Sequence, residues 1–156
     1  MTGAPAGLIA IDEETVTMVT ADLFATMIDG EEGHAAPWFG EPPSIADARW
    51  TWVDMRGEHA MRVIVTLERP AGDDITRALL ALGADAAVSE ADHADAMGEL
   101  ANVVGGNVKS VVAGGGTLTL PVVADAPPEL GDAEIVMETW LTWRGRPVGV
   151  SIWSLA

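Results

Sequence analysis

Asp95-Ala96-Met97-Gly98-Glu99-Leu100-Ala101-Asn102-Val103-Val104-Gly105-Gly106-Asn107-Val108-Lys109 is the stretch from which the rest of the chain can be read. Met97, Leu100, Ala101, Val104, Val108 and Val111 recur at three- and four-residue intervals, the spacing of one core-facing helical stripe. Asp95, Glu99 and Asn102 lie four and then three residues apart, so they form a second, polar stripe on a different side of the same helix. Upstream, Ser89-Glu90-Ala91-Asp92 matches the capping box that satisfies the orphan amides of a first turn. The periodic pattern runs from there to Ala113 and predicts the longest helix of the chain. Gly105-Gly106 sits inside it at a cost of roughly 1 kcal/mol per glycine relative to alanine, so the pair either admits a close neighbour or marks a bend.

Working outward toward the N-terminus, Asp73 to Leu82 predicts a short helix, with acidic residues at its start and Gly83 just past its end. Arg49 to Asp54 and Ala60 to Leu67, rich in Trp, Val and Ile, read as a hairpin turned through Arg56-Gly57-Glu58, with Trp50 and Trp52 on one face. Gly30 to Ala48, carrying Pro37, Pro42 and Pro43, reads as a long surface loop around Trp38 and Phe39. Asp12 to Ile28 predicts a first amphipathic helix on Val16, Val19, Leu23, Phe24 and Met27. Residues 1–11 read as a flexible start with no basic residue and no secretory pattern.

Downstream, Leu118 to Val123, Ile135 to Trp143 and Val148 to Trp153 read as strands, the last two joined through Arg144-Gly145-Arg146-Pro147. Trp140, Trp143 and Trp153 are expected in the core. The order of elements predicts one α+β domain over residues 12–156, an antiparallel-rich sheet packed against long helices.

The composition narrows the function classes. Twenty-four acidic residues against eight basic ones give a formal net charge of −16, which repels nucleic-acid phosphates and anionic headgroups, so neither nucleic acid nor a membrane is expected as partner. With no cysteine there are no disulfides, thiolate metal sites or cysteine nucleophiles. His34, His59 and His93 lack the paired spacing of a zinc helix, and no EF-hand pattern is present, so no metal site is expected in this chain. His93 falls off the Asp95 stripe and reads as solvated. Gly114-Gly115-Gly116 follows a helix and lacks the P-loop lysine, so it reads as a connection.

A carboxylate and a carboxamide one helical turn apart divide two tasks: the acid pairs with a cation, and the amide holds hydrogen bonds at a fixed distance. Asn is no general base, but an amide can hold a water in line with phosphorus, and phosphoryl transfer depends largely on positioning. The run Glu99-Leu100-Ala101-Asn102 followed by Val103-Val104 and Gly106-Asn107 resembles the signature helix of the CheC/CheX/FliY phosphatases, whose pattern is Asp or Ser, three residues, Glu, two residues, Asn. The chain carries one such motif, as the CheX branch does, and Leu118-Thr119-Leu120-Pro121-Val122-Val123 is similar to the proline-bearing strand that follows the helix there.

The resemblance implies a cytoplasmic chemotaxis phosphatase, a homodimer, that docks on a phosphorylated CheY-like response-regulator receiver and hydrolyses its aspartyl phosphate. Asn102 would orient the attacking water, Glu99 would pair with a lysine of the partner, and Asp95 would support docking. The resemblance places any Mg2+ in the receiver and implies no cofactor in this chain. A non-catalytic docking module that recognises a receiver or a flagellar-switch-like partner is the alternative.

Overall fold

A computed structural model describes residues 11–112 and 116–155. Helix α1 (Glu13–Leu23) starts where Asp12 accepts a hydrogen bond from the Thr15 amide and continues as a π-helical turn, Phe24–Asp29, closed by left-handed Gly30. The strands are β1 (Ala35–Pro37), β2 (Ala48–Arg56), β3 (Met61–Glu68), β4 (Thr117–Leu118), β5 (Val122–Ala124), β6 (Glu134–Trp143) and β7 (Arg146–Ser154). Between β3 and β4 come α2 (Arg69–Leu79) and α3 (Glu90–Ser110).

Among the described residues all seven strands form one sheet of order β1-β6-β7-β3-β2-β4, with β5 also on β2, and the pairings are antiparallel. The α+β reading holds. Alternation decides which face is covered: Thr51, Val53 and Met55 of β2, Val63, Val65 and Leu67 of β3, and Val148, Val150 and Ile152 of β7 are buried. They meet Val16, Leu23 and Phe24 of the first helix and Met97, Leu100, Ala101, Val104 and Val108 of α3 in one core. No described helix is long and apolar enough to cross a membrane.

Several expectations are corrected. The stretch from Gly30 to Ala48 is not all loop, because Ala35–Pro37 pairs with Leu141–Trp143 as an edge strand, a place where proline's missing N–H costs nothing. Helix α2 starts at Arg69 rather than Asp73, since Pro70 suits a first helical turn, and Ala81, not Gly83, takes the left-handed conformation after it. The stripe of α3 ends on Val112, which is buried, while Val111 is half-buried. Of the three tryptophans expected in the core only Trp143 is fully buried; Trp140 and Trp153 are half-buried on the opposite sheet face.

The β6–β7 hairpin turns through Arg144-Gly145 alone, both at positive φ, which leaves Pro147 inside β7 opposite Thr142. Of the three-glycine run only Gly116 is among the described residues. Residues 1–10, and with them nearly all of the stretch read as flexible, lie outside those residues.

Candidate functional site

The α3 helix is positioned before its polar face matters. Ser89 caps it by accepting the Asp92 amide at 3.1 Å, as the capping pattern predicts. Gly105 lies so close to β2 that a Cβ there would collide with Val53, so the first glycine of the pair admits the sheet, whereas Gly106 faces open space. Buried Thr51 of β2 lies 3.1 Å from the Met97 carbonyl and 3.0 Å from the Val122 carbonyl, so its single hydroxyl proton ties strand, helix and β5 together beneath the site.

On the outward side, Asp95, Glu99 and Asn102 line one open groove of about 460 Å3 with Ala94, Gly98, Pro121 and Val123. Asp95 and Glu99 are exposed and Asn102 is half-buried. Among the described residues none of these three side chains has an internal hydrogen-bond or ion-pair partner. Asn107, one and a half turns on, is by contrast occupied, its Nδ2 donating to the Val103 carbonyl at 2.9 Å. The helix thus presents two carboxylates and one carboxamide whose polar atoms remain available to something outside the chain. Glu99 also borders an apolar depression formed by Leu23, Met27, Ile28, Leu79, Leu100 and Val103.

The far wall of the groove comes from the segment between β4 and β5. Leu118 pairs with Met55 and Val122 with Trp52, so Thr119, Leu120 and Pro121 stand opposite only Val53 and Asp54. One extra residue on this side makes a β-bulge. Thr119 absorbs the mismatch: its amide donates to the Asp54 carbonyl at 2.8 Å and its hydroxyl accepts the Asp54 amide at 3.0 Å. Pro121 then approaches Gly98, where a Cβ would stand 3.2 Å from the proline Cγ. The single strand expected over Leu118 to Val123 is therefore two short ones, and proline after Leu120 is the sequence signal for the break.

His93 is a correction. It is 3 % exposed, not solvated, and its ring packs on Gly72 of α2, where a Cβ would stand 2.7 Å from the imidazole. Its position was legible: His93, Met97, Leu100, Val104 and Val108 continue one three-and-four spacing. Nδ1 lies 3.3 Å from Asp73 Oδ1 without the alignment of a hydrogen bond, and neither ring nitrogen has a partner. Asp73 Oδ1 instead accepts from Arg69 Nε at 2.8 Å, and Arg69 also reaches Glu90 at 2.7 Å. Burial, and next the Arg69 cation, push the His93 pKa below the ordinary imidazole value. His34 pairs with Glu31, and among the described residues no three His, Asp or Glu side chains gather as a metal site.

Residues 50–130, which contain α3 and both halves of the bulge, match the family model described as chemotaxis phosphatase CheX. The fold is similar to that of the chemotaxis protein CheX from Vibrio vulnificus, at 16 % identity, 97 % of this chain, 98 % of that one and a TM-score of 0.69. CheX from Desulfovibrio desulfuricans gives 15 %, 90 %, 97 % and 0.67. A chain of the CheX–CheY–BeF3–Mg2+ complex from Borrelia burgdorferi gives 12 %, 94 %, 99 % and 0.67. Comparison with curated protein sequences gives no match.

Proposed function

The chain belongs to the family of the chemotaxis phosphatase CheX, and on that premise we propose that it hydrolyses the aspartyl phosphate of a CheY-type receiver, using Asn102 and Glu99. In this reading α3 lies across the receiver's phosphorylation site. The Asn102 carboxamide holds a water in line with phosphorus, and Glu99 pairs with a receiver lysine, fixing the two surfaces at one distance. The water oxygen bonds to phosphorus as the bond from phosphorus to the aspartyl oxygen breaks. Inorganic phosphate and the free receiver carboxylate result, and the water's protons pass to phosphate and solvent. Asp95, one turn before Glu99, supports docking. In this reading any Mg2+ is held by the receiver and none by this chain.

The observation that carries the proposal is the groove in which Glu99 and Asn102 stand together with no internal partner among the described residues. A surface kept only for solvation has no reason to place both beside a bulge that walls one side. Homodimerisation belongs to the same reading. Strand β7 is interior to the sheet, so the C-terminal hairpin offers only the outer edge of β6 from Glu134 to Thr139, beyond the reach of β1.

The test is phosphate decay from phosphorylated receivers of the same genome. The protein accelerates decay of at least one of them, and Asn102→Ala lowers that rate by about a hundredfold, the scale of lost positioning, without moving the unfolding midpoint. Binding of a receiver with no acceleration would instead assign the chain a docking role.

A further inference from the structure

The β4–β5 bulge does more than wall the groove. It leaves Leu120 87 % exposed on the segment that forms the far rim, directly before half-buried Pro121, which lines the groove together with Val123, Asp95 and Glu99. At that exposure the leucine side chain adds little to the core. The bulge that puts it there is held by two hydrogen bonds between Thr119 and Asp54, so its position is built rather than incidental.

Resting on the phosphatase reading above, we propose that Leu120, with Pro121 and Val123, is the apolar anchor by which the receiver docks, and that it sets affinity while Asn102 sets turnover. The occupant is fixed by chemistry. It brings a cation to the Glu99 and Asp95 carboxylates and an apolar contact to the rim beside them, as a receiver would with its active-site lysine and the surface around it. A second copy of this chain fits poorly: a two-fold contact through this face gathers the Asp95 and Glu99 carboxylates of both copies into one interface, on a protein of net charge −16. An apolar side chain beside a desolvated charge pair is also the common arrangement of an interface hot spot.

Leu120→Ser tests this without endangering the fold, since the side chain touches almost nothing. Binding to the receiver that the wild-type protein acts on is measured in its BeF3−–Mg2+ form, and turnover with its phosphorylated form. Leu120→Ser raises Kd and KM about tenfold, the scale for leaving one leucine unburied, and leaves kcat unchanged. Phe39→Ser, an equally exposed site (87 %) in the segment after β1 at the opposite edge of the sheet, leaves both unchanged.

An unchanged Kd in Leu120→Ser, with Asn102→Ala still inactive, would overturn the anchor and spare the phosphatase. A shift in oligomeric state on gel filtration in place of a change in Kd would assign the rim to self-association and overturn it as well. Should Asn102→Ala retain full turnover while Leu120→Ser still weakens binding, the catalytic assignment falls and the docking surface stands.

Discussion

Gly105 of α3 and Val53 of β2 are packed so closely that a Cβ on the glycine would collide with the valine Cγ2. This contact sets the height of the helix above the sheet. The neighbouring Gly106 meets nothing within 4 Å. Gly105→Ala therefore overpacks the core and destabilises the protein by about 1–3 kcal/mol, less the helix-propensity gain. Gly106→Ala keeps only the gain and stabilises by about 0.5–1 kcal/mol. Urea unfolding midpoints of the two variants should move in opposite directions.

The helix was the legible part of this molecule because a 21-residue element repeats its pattern often enough to fix both faces. Asp95, Glu99 and Asn102 were separated from the core stripe by spacing alone, and they do share one groove. The assignment of a reaction to them came from resemblance, since spacing describes a polar face and not what it touches. Short elements were harder to read. Three residues of β1 carry no periodicity, and their pairing with β6 is a long-range event that Pro37 in the sequence argued against. Pro121 marks where β4 and β5 part, but the break depends on a one-residue mismatch with β2, and register between strands distant in sequence leaves no local trace of its own. Lying off the Asp95 stripe does not make His93 solvated, because it obeys the spacing of the core stripe instead.

His93 gives stability a pH dependence of known sign. Buried beside Arg69, with Asp73 and Glu90 as the facing carboxylates, it has a folded-state pKa below the ordinary 6.5 of the unfolded chain. As pH falls through 6.5 the unfolded state takes up a proton that the folded state does not, so stability is lost on acidification and retained above neutrality. The slope attributable to this one group is at most about 1.4 kcal/mol per pH unit. Urea midpoints measured at pH 8, 6.5 and 5 should fall less steeply in His93→Leu than in the wild type. Parallel profiles would mean that the ring becomes charged where it lies.

Asp29 joins the end of the first helix to the β6–β7 turn. Its side chain is 1 % exposed, accepts Trp143 Nε1 at 3.0 Å and Arg144 Nη2 at 2.7 Å, and Arg144 in turn stacks 4.6 Å over the Trp143 ring. Asp29→Ala leaves the buried indole N–H without an acceptor and costs about 1–3 kcal/mol. The cost stays below that of breaking a fully buried pair because Arg144, 42 % exposed, turns to water. Differential scanning calorimetry of Asp29→Ala and Arg144→Ala should rank the aspartate change as the more damaging.

Glu99 and Asn102 should separate in kinetics, because one is assigned to attraction and the other to geometry. Glu99→Gln keeps the shape of the exposed side chain and removes the charge offered to a receiver lysine. Losing a charge-assisted contact of about 1.5–3 kcal/mol lowers kcat/KM about ten- to a hundredfold, mostly through KM. The difference from wild type should narrow as salt rises from 50 to 500 mM, since screening weakens the attraction in the wild type and leaves nothing to weaken in the variant. Asn102→Ala should behave oppositely, with a depressed kcat at every salt concentration, because a misplaced water is not restored by ionic strength. Asp95→Asn, one turn away in the same groove, should follow the Glu99 pattern at smaller amplitude. A salt-independent loss in Glu99→Gln would remove the lysine pairing from the mechanism and leave Glu99 a positioning role.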